Sequence, residues 1–99
     1  KYNQIEHKWH RTHAVSEALV KEMARLAKKH EVKFIVAKIS GGHAMLDFAE
    51  KNRISNIDIS VDLNLTENTN YPYDVHPSAI ANQKYADKLD GFLRVEFLG

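Results

Sequence analysis

Two short apolar runs constrain this chain more than any other feature: Val32-Lys33-Phe34-Ile35-Val36-Ala37-Lys38-Ile39, and the stretch from Ile54 to about Val61. The first is rich in β-branched residues and nearly continuous in its apolar middle, which is the pattern of a strand covered on both faces. The second places Ile54, Ile57, Ile59 and Val61 at its apolar positions. Ser40-Gly41-Gly42 breaks the first run, and His43 to about Lys51 then reads as a short helix with Met45 or Leu46, Phe48 and Ala49 inward. Asn52 is placed to cap its last turn. Strand, helix and strand in this order predict a parallel pair joined by a right-handed crossover.

Helices flank this unit. From about Thr12 to Lys29, Val15, Ala18, Leu19, Met23, Leu26 and Ala27 recur at helical spacing and form one apolar stripe expected to face the core. Thr12 is the expected N-cap, and Lys28, Lys29 and Lys33 complement the dipole at the far end. A polar loop, Asp62 to Tyr73, follows the second strand and is long for a connection in a compact domain. A last helix is expected to start at Pro77, the favoured first helical residue, and to bury Ile80, Ala81, Tyr85 or Ala86, and Leu89. The alternating tail Arg94-Val95-Glu96-Phe97-Leu98 suggests a short strand.

The order α-β-α-β-loop-α predicts an α/β fold, yet two strands cannot cover their own edges. Further strands from the same domain, or from another chain, are therefore expected. The chain has 99 residues and opens on Lys1, with neither a methionine nor a signal-like segment. We therefore expect a single partial domain, residues 1–99, forming the C-terminal part of a larger α/β domain. A net charge of +1 recommends neither nucleic acid nor an anionic membrane as partner. No apolar run approaches the roughly 20 residues that span a bilayer. Without cysteine there is no disulfide framework, thiolate nucleophile or Cys-based zinc site.

The stretch richest in potential chemistry is Asp74-Val75-His76-Pro77-Ser78-Ala79. An acid beside a histidine can fix the imidazole tautomer and stabilise the imidazolium that forms when the ring takes a proton. From spacing alone the simpler reading is a helix-start cap at Asp74 and a surface histidine at His76. His7, His10 and His13 form a second group, but successive spacings of three drift around a helix, and Glu6 is the one carboxylate near them. A solvated polar segment is the simpler account, with a zinc or nickel site as the alternative. Asn64-Leu65-Thr66 meets the N-glycosylation pattern. Tyr71 and Tyr73 either line a substrate cleft or pack the loop.

Tyr73-Asp74-Val75-His76-Pro77-Ser78-Ala79, continuing through Ala81-Asn82-Gln83-Lys84-Tyr85-Ala86-Asp87-Lys88-Leu89 to Phe92-Leu93, resembles the last sequence block of the SGNH hydrolases, the GDSL-like lipases and acylhydrolases. The upstream order of elements is similar to how that fold ends, so the resemblance extends over about residues 12 to 93. It implies the C-terminal portion of a three-layer α/β/α sandwich with a parallel sheet, flavodoxin-like in layout. It implies His76 as general base and Asp74 as its partner in a serine esterase, with no metal or organic cofactor. The substrate would be an ester-bearing small molecule, lipid or acylated glycan. The commonest family spacing puts two residues between acid and histidine, whereas here Val75 alone intervenes. The Gly-Asp-Ser nucleophile block and the oxyanion blocks lie N-terminal to this region in the family, and Ser40 lacks the neighbours a nucleophile needs. The alternative expectation is a non-catalytic binding or assembly module retaining the fold.

Overall fold

A computed structural model describes residues 4–98 and, within them, the side chains of residues 13–97. The described residues are mixed α/β, with three α-helices and a two-stranded parallel sheet among them. In chain order the elements are α1 (Gln4–Lys29), β1 (Ile35–Lys38), α2 (Ala44–Lys51), β2 (Ser55–Asp58) and α3 (Ala79–Leu93). A 3-10 turn, Thr66–Asn68, interrupts the loop before α3, and a π-helical turn, Arg94–Leu98, extends α3.

The strands pair in the order expected, Ile35 opposite Ser55 through Lys38 opposite Asp58, but each keeps only the middle of its apolar run. The outer residues do other work. Val32 and Ile54 close helices: Val32 N–H donates to the Ala27 carbonyl (2.8 Å) and Ile54 N–H to that of Ala49 (2.8 Å). Immediately before each, Glu31 (φ 58°) and Arg53 (φ 56°) adopt the left-handed conformation. Both helices thus end in the same Schellman turn, with no glycine at the left-handed position. Asn52 caps α2 differently, its side-chain amide donating to the Phe48 carbonyl at 2.8 Å.

Thr12 lies inside α1 and so cannot be its N-cap, since the helix starts eight residues earlier, at Gln4. The expected inward stripe is also corrected. Val15, Leu19, Met23 and Leu26 are 41–58% exposed and Ala18 is exposed too; Ala27 is the member of that stripe that is partly covered, on a face it shares with Ser16, Glu17, Val20 and Ala24. The reason is geometric: the two sets lie about a third of a turn apart at 100° per residue. The side toward the rest of the chain is the one with small and polar side chains.

The core lies between α3 and the far end of β2. Ile59, Ala81 and Tyr85 are buried there, with Ile57, Val61 and Leu89 packed around them. α2 buries Leu46 and Ala49. Ile80, expected inside, is half exposed, because it sits one position off the Ala81–Tyr85–Leu89 face. The tail is helical rather than extended. The π-turn spacing of five residues brings Phe97 edge-on to Phe92 (centroids 6.4 Å), and Lys33 Nζ lies 5.0 Å over the Phe97 ring. Lys33 therefore serves this ring contact and not the end of α1. Among the described residues, no helix is long and apolar enough to cross a membrane.

Candidate functional site

The loop between β2 and α3 is tied down by short-range polar chemistry. Asn68 is fully buried: its side-chain amide donates to the Asp62 carbonyl (2.7 Å), and its Oδ1 accepts from Lys84 Nζ of α3 (2.7 Å). Two backbone bonds then join the arms of the loop, Asn70 N–H to the His76 carbonyl and Ser78 N–H to the Asn68 carbonyl, both 3.0 Å. Thr69 and Pro77 form an antiparallel bridge between them. Pro77 is thus part of the loop and not the first helical residue. Ser78 is the N-cap, its Oγ accepting from Ala81 N–H at 3.2 Å and donating to the Glu67 carbonyl at 2.5 Å.

Asp74 and His76 project from the tip. Asp74 Oδ1 accepts the His76 backbone N–H at 2.9 Å, an Asx turn, which is what one intervening residue permits. The same oxygen stands 3.4 Å from His76 Nδ1. The bond from the His76 amide, together with those from the Asn70 side chain and the His76 ring, holds the Asp74 carboxyl below its ordinary range. Asp74 does not cap the helix, so that part of the simpler sequence reading is replaced by a turn that orients acid and ring together. The His76 side chain is 82% exposed and that of Asp74 47%. Tyr71 and Tyr73 are 66% and 91% exposed, so neither ring packs the loop. A cleft of about 560 Å³ lies instead at the amino ends of the strands, lined by Lys21, Arg25, Val32, Phe34, Arg53 and Ile54 among others, and touches none of these four residues.

A second cluster sits at the carboxyl ends of the strands, where open parallel sheets place ligands. Lys38 and Asp58 face each other across the register and pair at 3.3 Å, with the Lys38 side chain only 11% exposed. His43 Nε2 lies 3.4 Å from Lys38 Nζ and 4.0 Å from Asp58 Oδ2. Ser60 donates to Asp58 Oδ1 through its hydroxyl (2.6 Å) and its backbone N–H (2.9 Å). These two bonds, then Lys38, lower the Asp58 pKa from 3.8 to about 2. Sequence reading missed this group. The available signal was the matched strand endings Lys38-Ile39-Ser40 and Asp58-Ile59-Ser60, in register across the pair.

The side chains of His7 and His10 lie outside the described residues, so the His7, His10, His13 group does too. Among the described residues, no group of three or more His, Cys, Asp or Glu side chains is placed to hold a metal ion. Compared with known proteins, the chain has no significant match to any family model, curated protein or solved structure.

Proposed function

We propose that this chain is the C-terminal part of a serine ester hydrolase of the SGNH type, supplying the histidine base and its acid. The observation that carries the reading is the placement of one Asp74 oxygen against both the amide and Nδ1 of His76. A carboxylate 3.4 Å from Nδ1 would favour the tautomer that carries its proton there, leaving Nε2 to accept one. A serine hydroxyl from outside these residues would attack the ester carbonyl carbon while His76 Nε2 takes its proton. The imidazolium, stabilised by Asp74, then returns that proton to the departing alcohol. Water repeats the sequence on the acyl-enzyme and releases the acid. Oxyanion donors would likewise come from outside.

The two-stranded sheet supports the same reading. A parallel pair with open outer edges calls for neighbouring strands, as a three-layer α/β/α sandwich of flavodoxin-like layout would provide. The substrate class proposed is an ester-bearing small molecule, lipid or acylated glycan. The test is hydrolysis of p-nitrophenyl acetate by a longer polypeptide carrying the upstream Gly-Asp-Ser segment, with and without His76→Ala. A loss on the order of 10⁴-fold or more in kcat is expected. Equal rates would dispose of the catalytic role.

One observation favours a second reading, a non-catalytic binding or assembly module. The apolar stripe Val15, Leu19, Met23 and Leu26 stands uncovered and needs a partner surface of some kind. An upstream sequence without a Gly-Asp-Ser turn would decide for that module.

A further inference from the structure

We propose that the cleft at the amino ends of β1 and β2 binds a phosphate monoester carried on an apolar body, an inference that does not depend on the ester-hydrolase reading above. The cleft holds about 560 Å³, within the range of small-molecule sites. Much of its lining is apolar: Val32, Phe34 and Ile54 lead into the strands, and Ala24 and Ala27 belong to α1. The small alanine side chains leave room that larger ones would fill. Val32 stays 61% exposed, so apolar surface is open to a ligand.

The charge on the lining has one sign. Lys21, Arg25 and Lys28 stand four and three residues apart, hence on one face of α1, and Arg53 comes from the left-handed turn that ends α2. Among the described residues, no acid lines the cleft. Lys21, Lys28 and Arg53 form no ion pair among those residues, and Arg25 is held by Glu22 at 2.6 Å in a pair more than half exposed. Such a pair is weak, so Arg25 can turn to a ligand at little cost.

Part of this charge answers the helices themselves. Both α1 and α2 end at the cleft, and each carboxyl end carries about half a negative charge. These two ends and Glu22 together offset about two of the four positive charges, which leaves about two. That remainder selects the ligand. A phosphate monoester carries about two negative charges near neutral pH, whereas a single carboxylate leaves a cation unanswered. The planar forks of Arg25 and Arg53 suit phosphate oxygens, the lysines add point charges, and the apolar surface takes the body of the ester.

The experiment titrates the intact protein with 1-naphthyl phosphate, and with decyl phosphate below its micelle-forming concentration. Inorganic phosphate and 1-naphthol serve as the separate halves of the ligand. Calorimetry gives Kd, and ¹⁵N NMR maps the amides that shift. At least one of the esters should bind about tenfold or more tighter than either half, with shifts at Val32, Phe34, Ile54 and Ser55. The tighter of the two identifies an aromatic or an alkyl body. Lys28→Gln and Arg53→Gln should each weaken binding about tenfold, as expected for losing a charged hydrogen bond. Lys29→Gln, one residue outside the lining, should change Kd by less than about twofold. Ala24→Leu should fill the cleft and abolish binding while leaving the charge intact.

No binding by either ester overturns the proposal, as do shifts confined to other residues. Equal affinity for inorganic phosphate removes the apolar half of the site and with it the ligand class. A Lys29→Gln loss as large as that of Lys28→Gln would show a diffuse basic face and not a site. Should Ala24→Leu not fold, the exposed Lys28→Gln carries the test, and an unchanged Kd in that variant refutes the site.

Discussion

Replacing Ser78 by alanine tests how the loop that carries Asp74 and His76 is held to its helix. The hydroxyl makes two bonds in opposite directions, accepting from Ala81 N–H at 3.2 Å and donating to the Glu67 carbonyl at 2.5 Å. Loss of a serine N-cap costs about 1 kcal/mol. A neutral hydrogen bond across the loop contributes about 1 kcal/mol more, and Ser78 is half-buried, so water replaces these bonds only in part. Ser78→Ala should therefore destabilise by about 2 kcal/mol, which lowers Tm by roughly 10 °C in a chain of this length. Ser78→Asp separates the contributions. Its carboxylate still accepts from Ala81 N–H and suits a helix N-terminus, but it cannot donate to Glu67, so about half the loss should remain. Thermal and urea unfolding followed by circular dichroism give both numbers. Hydrogen exchange of the amides of Asn70 and Ser78 should accelerate in the alanine variant. A Ser78→Ala protein within 0.5 kcal/mol of the parent would refute the account of the loop as a strapped unit.

The Asp58 cluster predicts a particular acid response. Its pKa is depressed from 3.8 to about 2, so its stabilising contribution is complete above about pH 4 and is lost as pH falls through 2. The Tm–pH curve of Asp58→Asn should be flatter between those limits than that of the parent, and parallel curves would count against the cluster. Tyr85 offers a different test, since its buried hydroxyl has no hydrogen-bond partner among the described residues. Tyr85→Phe should be neutral or stabilising by up to about 1 kcal/mol in urea unfolding, and a loss of more than about 1 kcal/mol would reveal a partner for that oxygen.

Local chemistry made much of the architecture legible. The apolar spacing of α2 offered Met45 or Leu46, Phe48 and Ala49, of which Leu46 and Ala49 are buried and Met45 and Phe48 partly covered. The β-branched runs located both strands, and their separation by one short helix implied the parallel pairing that the register displays. The helix ends were harder to read. Glycine usually marks a left-handed cap, and here Glu31 and Arg53 take that conformation because the hydrogen bonds of the turn outweigh its steric cost. The tail misled for a similar reason: alternation suits a strand, but the attraction between Phe92 and Phe97 is met by a π turn.

By itself the sequence located the three helices and the two strands, though not their ends or the helical tail, and placed Asp74 and His76 one residue apart in a loop before a helix. Periodicity defines a face of α1 without saying what lies opposite it. Only the tertiary arrangement decided that Val20 and Ala24 turn toward the chain while Leu19 and Leu26 face outward. It likewise decided that Lys38 meets Asp58, and that Asn68, Asn70 and Ser78 close the loop so that a carboxylate rests 3.4 Å from an imidazole nitrogen. Those contacts join residues distant in sequence, or depend on backbone directions set by such contacts, and no local pattern encodes them.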